Sequence, residues 1–138
     1  YVGKLRGLGD VNVIEVRDHL NLPSDFFVVT EEMYNTKKDL LRRFLSAYRD
    51  SAAWMIANPE EAAKIAMTRA INGKDEKVNL DIIKLRNLSS VSPTTAKHGL
   101  GAFDIEPLEK GVETFKKLGL IKHDIDISKV VRTDLIPK

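Results

Sequence analysis

The 138-residue sequence contains no cysteine. These residues therefore form no disulfide framework, no thiolate metal site and no cysteine nucleophile. A chain without cysteine is compatible with an exported protein that avoids oxidation chemistry. The sequence also lacks any run close to the roughly 20 apolar residues that a helix needs to cross a bilayer.

A strong excess of one charge is missing as well. Lys and Arg number 22 against 20 Asp and Glu, so the formal net charge is only +2. This balance argues against nucleic acid or an anionic membrane as the main partner. The densest basic run, residues 37–43, includes Asp39 and shares its helix with apolar side chains. We interpret it as a solvated helix face.

Motifs of catalysis and metal binding are absent too. None of His19, His98 and His123 has a His, Asp or Glu four residues later on a convincing helix face, as a helical metal site requires. The sequence has no Gly-x-Ser-x-Gly elbow and no lysine after its Gly-x-Gly pairs. The glutamate pairs, residues 31–32 and 60–61, are typical of helix starts or turns. We predict no catalytic residue, no metal and no cofactor, and hence a protein that is not an enzyme.

The strongest positive signal is an amphipathic helix over residues 37–66, restarted at residues 58–61. Its apolar residues recur every three or four positions, which places them on one helix face. Thr36 and Asp39 predict a capping box at the start. Asn58 is expected to cap the second helix, with Pro59 in its first turn, where a missing N–H costs nothing. Trp54 and Tyr48 on this helix are predicted to pack rather than to form a ligand cage.

Two short strands are predicted before this helix. Residues 11–16 and 26–30 are rich in β-branched and aromatic side chains and are bounded by turn residues. Two strands alone form only a marginal sheet. The pattern therefore implies further strands outside this chain, or a partner that supplies them.

The remaining sequence predicts more helices. Asn79 is expected to cap a third helix, and residues 89–103 are expected to be irregular. Asp104 should cap a helix over residues 105–118 that Gly119 closes. A short turn is predicted at Ser128.

The order and spacing of these elements resemble a known family. The run at residues 26–66, with its Asn-Pro-Glu-Glu-Ala joint at 58–62, resembles the carboxy-terminal half of ABC-importer substrate-binding proteins. The group concerned includes sulfonate, taurine, nitrate and thiamine-precursor binders. Residues 101–121 and 126–136 are similar to its closing segments.

The resemblance implies an α/β fold with two lobes in the full protein. This chain would be a largely helical carboxy-terminal portion with two or so strands. Residues 1–20 would form the crossover between lobes, and residues 21–138 a first-lobe strand with its covering helices. Residues 1–5 resemble the segment that follows a Trp-Glu-Pro-Tyr motif of the family. Tyr1, the last member of that motif, is the one ligand-binding residue that we can infer.

The function implied is capture of a small organic or inorganic anion or a heterocycle between two lobes. Partners would be that ligand, the upstream part of the same protein and a membrane permease, with no nucleic acid. The location would be periplasmic or extracytoplasmic and lipid-anchored. Two alternatives stay open: a pyrimidine-precursor synthase of thiamine biosynthesis with the same fold, and a non-catalytic helical interaction module.

Overall fold

The computed structural model describes residues 9–10, 12–15, 18–19, 22, 25–71, 73, 75–102 and 104–136. Seven α-helices lie in this part of the chain. They are α1 Glu31–Thr36, α2 Lys38–Ala57, α3 Pro59–Arg69, α4 Glu76–Ser90, α5 Pro93–His98, α6 Ile105–Lys117 and α7 Ile127–Val130.

The start of the long helix differs from the prediction. A separate short helix, α1, comes first, and the Thr30 side chain caps it by accepting from the Met33 N–H at 3.1 Å. Thr36 ends α1, and its hydroxyl donates to the Glu32 carbonyl at 2.8 Å, so the Thr36–Asp39 capping box is wrong. The reason is local: Thr30 followed by two glutamates offers an earlier start, and a threonine inside a helix bonds back to the carbonyl four residues before it.

The break at residues 58–59 is confirmed. Helix α2 ends at Ala57 and α3 begins at Pro59, whose ring and missing N–H prevent the helix from continuing. Asn58 occupies the N-cap position, but its side-chain N–H donates backwards to the Trp54 carbonyl at 2.9 Å. Asn58 therefore closes the preceding helix through its side chain.

Helices α3 and α4 pack side by side and form the main core. Ala63 is fully buried and Ala62 nearly so, and both contact Ile83 of α4. Small alanine side chains let the two helix backbones approach closely. Helix α2 joins this pair through a hydrogen bond from the Asn87 side chain to the Met55 carbonyl at 3.2 Å. The result is a three-helix layer.

Helix α4 starts earlier than predicted. The Asp75 carboxylate, not Asn79, caps it by accepting from the Val78 N–H at 2.9 Å. Asn79 lies one turn inside the helix and donates to the carbonyls of Gly73 and Asp75 at 2.6 and 2.8 Å. Both residues are good caps, and the more amino-terminal one is used.

The segment predicted as irregular, residues 89–103, contains α5. Ser92 accepts from the Thr95 N–H at 3.1 Å, and the Thr95 hydroxyl accepts from the Ser92 N–H at 2.8 Å. This reciprocal capping, with Pro93 in the first turn, stabilises a helix of only six residues.

Helix α6 begins and closes where the sequence predicts. Asp104 is its N-cap residue, although its carboxylate accepts from the Thr94 hydroxyl at 2.5 Å instead of capping. Gly119 has φ +72°, a conformation that favours glycine, and lets the Leu120 N–H reach the Phe115 carbonyl at 2.9 Å. The turn predicted at Ser128 is the short helix α7, capped by Asp126.

The predicted strands do not form in the described residues. Residues 12–15 and 25–30 adopt neither helix nor strand, and residues 11 and 16 lie outside the described ranges. A strand needs a ladder of backbone hydrogen bonds to a second extended segment, and the neighbour of residue 27 in the described part of the chain is the helix α2, through Phe44 and Tyr48. The described chain is thus helical, and the predicted pair of strands is wrong for it.

No helix in the described ranges is both long and apolar enough to cross a membrane. The division at residue 20 into a crossover and a first-lobe portion stays a prediction.

Candidate functional site

A polar cluster joins helices α1 and α2 to the carboxy-terminal segment of the described chain. The Tyr34 hydroxyl donates to the Asp134 carboxylate at 2.9 Å and accepts from the Lys38 ammonium at 3.2 Å. The Arg132 guanidinium lies 5.3 Å from the centre of the Tyr34 ring. We call these four residues the Tyr34 cluster. It fastens the carboxy-terminal segment, whose Leu135 is buried, to α1 and α2.

The electrostatics of the Tyr34 cluster favour the ionised carboxylate. The hydrogen bond from Tyr34, and then the charge of Lys38 at 3.7 Å, hold the pKa of Asp134 below its ordinary value. The cluster therefore stabilises the fold above the ordinary aspartate pKa. That contribution is lost as the pH falls through the lowered pKa.

We expect Tyr34→Phe to raise the pKa of Asp134 towards its ordinary value, because the phenyl ring cannot donate the hydrogen bond. The measurement is an NMR titration of the side-chain carboxyl carbons. Asp126 is the internal control, since its pKa is lowered by a hydrogen bond from Ser128, far from Tyr34 in sequence. An unchanged Asp134 titration in the variant would show that Tyr34 does not hold the carboxylate.

A second feature is an exposed group of aromatic rings. Phe27 meets Phe44 and Tyr48 edge-to-face, with centroids 5.1 and 4.8 Å apart, and Phe44 and Tyr48 stack at 6.4 Å. We call these residues the aromatic triad. Each ring is about half exposed: 54% for Phe27, 49% for Phe44 and 54% for Tyr48. The triad is an apolar surface rather than a pocket.

A shallow cleft of about 300 Å³ lies between α2 and α5. Its walls are mostly apolar, with one hydroxyl, and consist of Ala53, Ile56, Val91, Thr95, Ala96 and Leu100. The Thr95 hydroxyl already takes part in capping α5. The cleft offers no charged group with which to orient a ligand.

The structure does not bring together the candidate functional residues that the sequence suggests. Tyr1, the predicted ligand contact, lies outside the described residues. His98 ends α5 and His123 lies in a loop, both exposed. Trp54 and Tyr48 are about half exposed, at 45% and 54%, so neither is core, although Tyr48 packs within the aromatic triad.

The glutamate pairs lie in the first turns of α1 and α3, as helix-start residues do. Glu61 pairs with Lys64 at 2.8 Å, which raises the pKa of that lysine, and Glu60 lies 3.9 Å from Lys84 of α4. Three or more His, Cys, Asp or Glu side chains suited to a metal do not converge anywhere in the described ranges. The sequence does not predict the Tyr34 cluster, because no periodicity links residues 100 positions apart.

Comparison with known proteins bears on these surfaces. The family described as NMT1/THI5 like matches residues 2–62. The riboflavin-binding protein RibY of Chloroflexus aurantiacus is 25% identical over 137 residues. The predicted family resemblance is confirmed. The alignment with RibY covers 97% of this chain but 39% of RibY, so the chain spans about two fifths of that relative's length. No solved structure matches the chain significantly.

The NMT1/THI5-like match places the family signal in the first part of the chain. It includes α1, α2 and the Asn58–Pro59 joint, together with all three residues of the aromatic triad. The similarity to RibY extends the relationship to α4–α7, which lie beyond the family match.

Proposed function

We propose that this chain is part of an extracytoplasmic substrate-binding protein that delivers a small ligand to an ABC importer. The observation that carries the proposal is the similarity to a riboflavin-binding protein along 97% of the chain, together with the NMT1/THI5-like match. These comparisons support a substrate-binding role in general. The importer, the permease and the location outside the cytoplasmic membrane follow from the resemblance to ABC substrate-binding proteins.

Among the ligands that the sequence leaves open, an aromatic heterocycle is the one we propose. RibY is named as a riboflavin-binding protein, and riboflavin contains a planar heterocycle. Binding is proposed without catalysis, as a closure of two lobes around the ligand. The site itself would involve residues beyond those described here, because the described surfaces hold no enclosed polar pocket.

The test is a titration of the intact protein with riboflavin. We expect quenching of flavin fluorescence at one ligand per protein, and stabilisation of the fold, about 2.7 kcal/mol when free ligand is 100 times the dissociation constant. Small-angle scattering of the same samples should show a more compact particle. Taurine, nitrate and a thiamine-precursor pyrimidine serve as comparison ligands.

The outcomes separate the alternatives. Binding of a comparison ligand in place of riboflavin would keep the transport role and change the ligand class. Conversion of a bound compound to a pyrimidine product would favour the synthase. A complete absence of binding and of compaction across the panel would contradict the proposed function.

A further inference from the structure

The connection between α3 and α4 contains an asparagine followed by glycine, Asn72–Gly73. In such a dipeptide the backbone nitrogen of the second residue can attack the side-chain carbonyl carbon of the first. Glycine favours this attack, because it has no Cβ to hinder the approach. None of the other asparagines in the sequence is followed by glycine. Asn72 is therefore the asparagine at which this reaction is expected first.

The structure leaves the attacking nitrogen of Gly73 available. Gly73 is exposed, and apart from its chain neighbours no atom lies within 4 Å of the position that a Cβ would take. Within the described part of the chain, the Gly73 N–H makes no hydrogen bond. Asn72 itself lies outside the described residues, but Ile71 on its other side is 93% exposed. Water thus reaches both neighbours of the asparagine.

Two other asparagines with described surroundings are held away from the same reaction. Asn58 is followed by Pro59, whose ring nitrogen carries no hydrogen and is already fully substituted. Asn79 lies inside α4 and is followed by Leu80, and a helical backbone directs each N–H to the carbonyl four residues before it. Local geometry therefore adds to the sequence preference for Asn72.

We propose that Asn72–Gly73 is a site of spontaneous modification, at which the asparagine becomes aspartate or isoaspartate in the intact protein. The Gly73 nitrogen loses its proton and bonds to the side-chain carbonyl carbon, and the bond from that carbon to the amide nitrogen breaks. Ammonia leaves, and a succinimide ring remains. Water then adds to one of the two ring carbonyls and breaks its bond to the Gly73 nitrogen. Opening at the side-chain carbonyl gives aspartate, and opening at the main-chain carbonyl gives isoaspartate.

The modification has a consequence for the start of α4. Both products add a carboxylate, and isoaspartate also adds a methylene to the main chain just before the helix. The Gly73 carbonyl accepts from the Asn79 side chain at 2.6 Å. Asp75 accepts from the Val78 N–H at 2.9 Å. We expect the altered connection to disturb these contacts, so that hydrogen exchange at the Val78 amide is faster in the modified fraction. Equal exchange in the two fractions would contradict this consequence.

The test is peptide mapping of the intact protein after incubation in mildly alkaline buffer, where the Gly73 amide loses its proton more readily. Trypsin cleaves after lysine and arginine, so residues 70–74 form one peptide in which Asn72 is the sole asparagine. We expect a growing fraction of this peptide to carry an oxygen in place of one nitrogen and one hydrogen. That fraction should separate into two species of equal mass, the aspartate and isoaspartate forms.

The same digest contains the controls. Asn58 lies in the peptide of residues 50–64 and Asn79 in that of residues 78–84, and both should stay unmodified. Asn72→Gln should abolish the change in the peptide of residues 70–74, since the longer side chain closes a ring less readily. Modification at Asn58 or Asn79 as fast as at Asn72 would overturn the proposal. So would an unmodified Asn72 in the protein under conditions that modify the free peptide. The result does not depend on the ligand or on the proposed transport role.

Discussion

Ile83→Ala is expected to lower the free energy of unfolding by about 2–5 kcal/mol, the range measured for such truncations of buried residues. Ile83 is 7% exposed and packs on Ala62 and Ala63. The cluster is small, so three lost carbon atoms leave a gap that few neighbours can fill. Urea unfolding of the protein, followed by helical circular dichroism, measures the loss.

Ile82→Ala is the matched control. It makes the same change one position earlier in α4, where the side chain is 46% exposed. Its cost should be about 1 kcal/mol or less, because less apolar surface returns to water and alanine is the better helix former. Equal losses at positions 82 and 83 would contradict the location of the core between α3 and α4.

Ala63→Leu is expected to destabilise the same interface from the opposite direction. Ala63 has no exposed surface and faces α4. A leucine there forces the helices apart or into strained rotamers, which costs about 1–3 kcal/mol. The loss should appear as a lower urea midpoint with an unchanged slope.

The control for this change is Ala47→Leu on α2, where the side chain is exposed. Both alanines lie inside helices, so the effect of leucine on helix propensity is the same. We expect a change within about 0.5 kcal/mol at position 47. A leucine tolerated equally well at position 63 would mean that α3 and α4 do not pack closely there.

The sequence predicts the helices better than their first residues. The break at Asn58–Pro59 and the closure at Gly119 are predictable because a proline ring and a positive φ each permit few conformations. The N-cap residue of a helix is harder to predict, because several residues near a helix start can act as the cap. Asp75 and Asn79 compete for α4, and the sequence does not show which backbone N–H groups lie within reach.

The local sequence pattern is not enough to predict whether strands form or where the Tyr34 cluster lies. Residues 26–30 have strand-like side chains, but a strand forms only where a second segment completes the ladder. The pairing of Tyr34 with Asp134 requires knowledge of the fold, since neither residue carries a signal that indicates the other. Family resemblance predicted the kind of protein without locating a binding site, because its one transferable residue was Tyr1.

The Tyr34 cluster also has a consequence for the order of folding. Its central hydrogen bond closes a loop of 100 residues, whereas Ala63 and Ile83 are 20 residues apart. The entropic cost of closing the 100-residue loop is therefore about 1.4 kcal/mol larger than that of closing the 20-residue loop. The α3–α4 hairpin should therefore form early from local contacts, and the carboxy-terminal segment should dock on α1 late. In the folded protein the same segment should be among the first to detach, before the core between α3 and α4 opens.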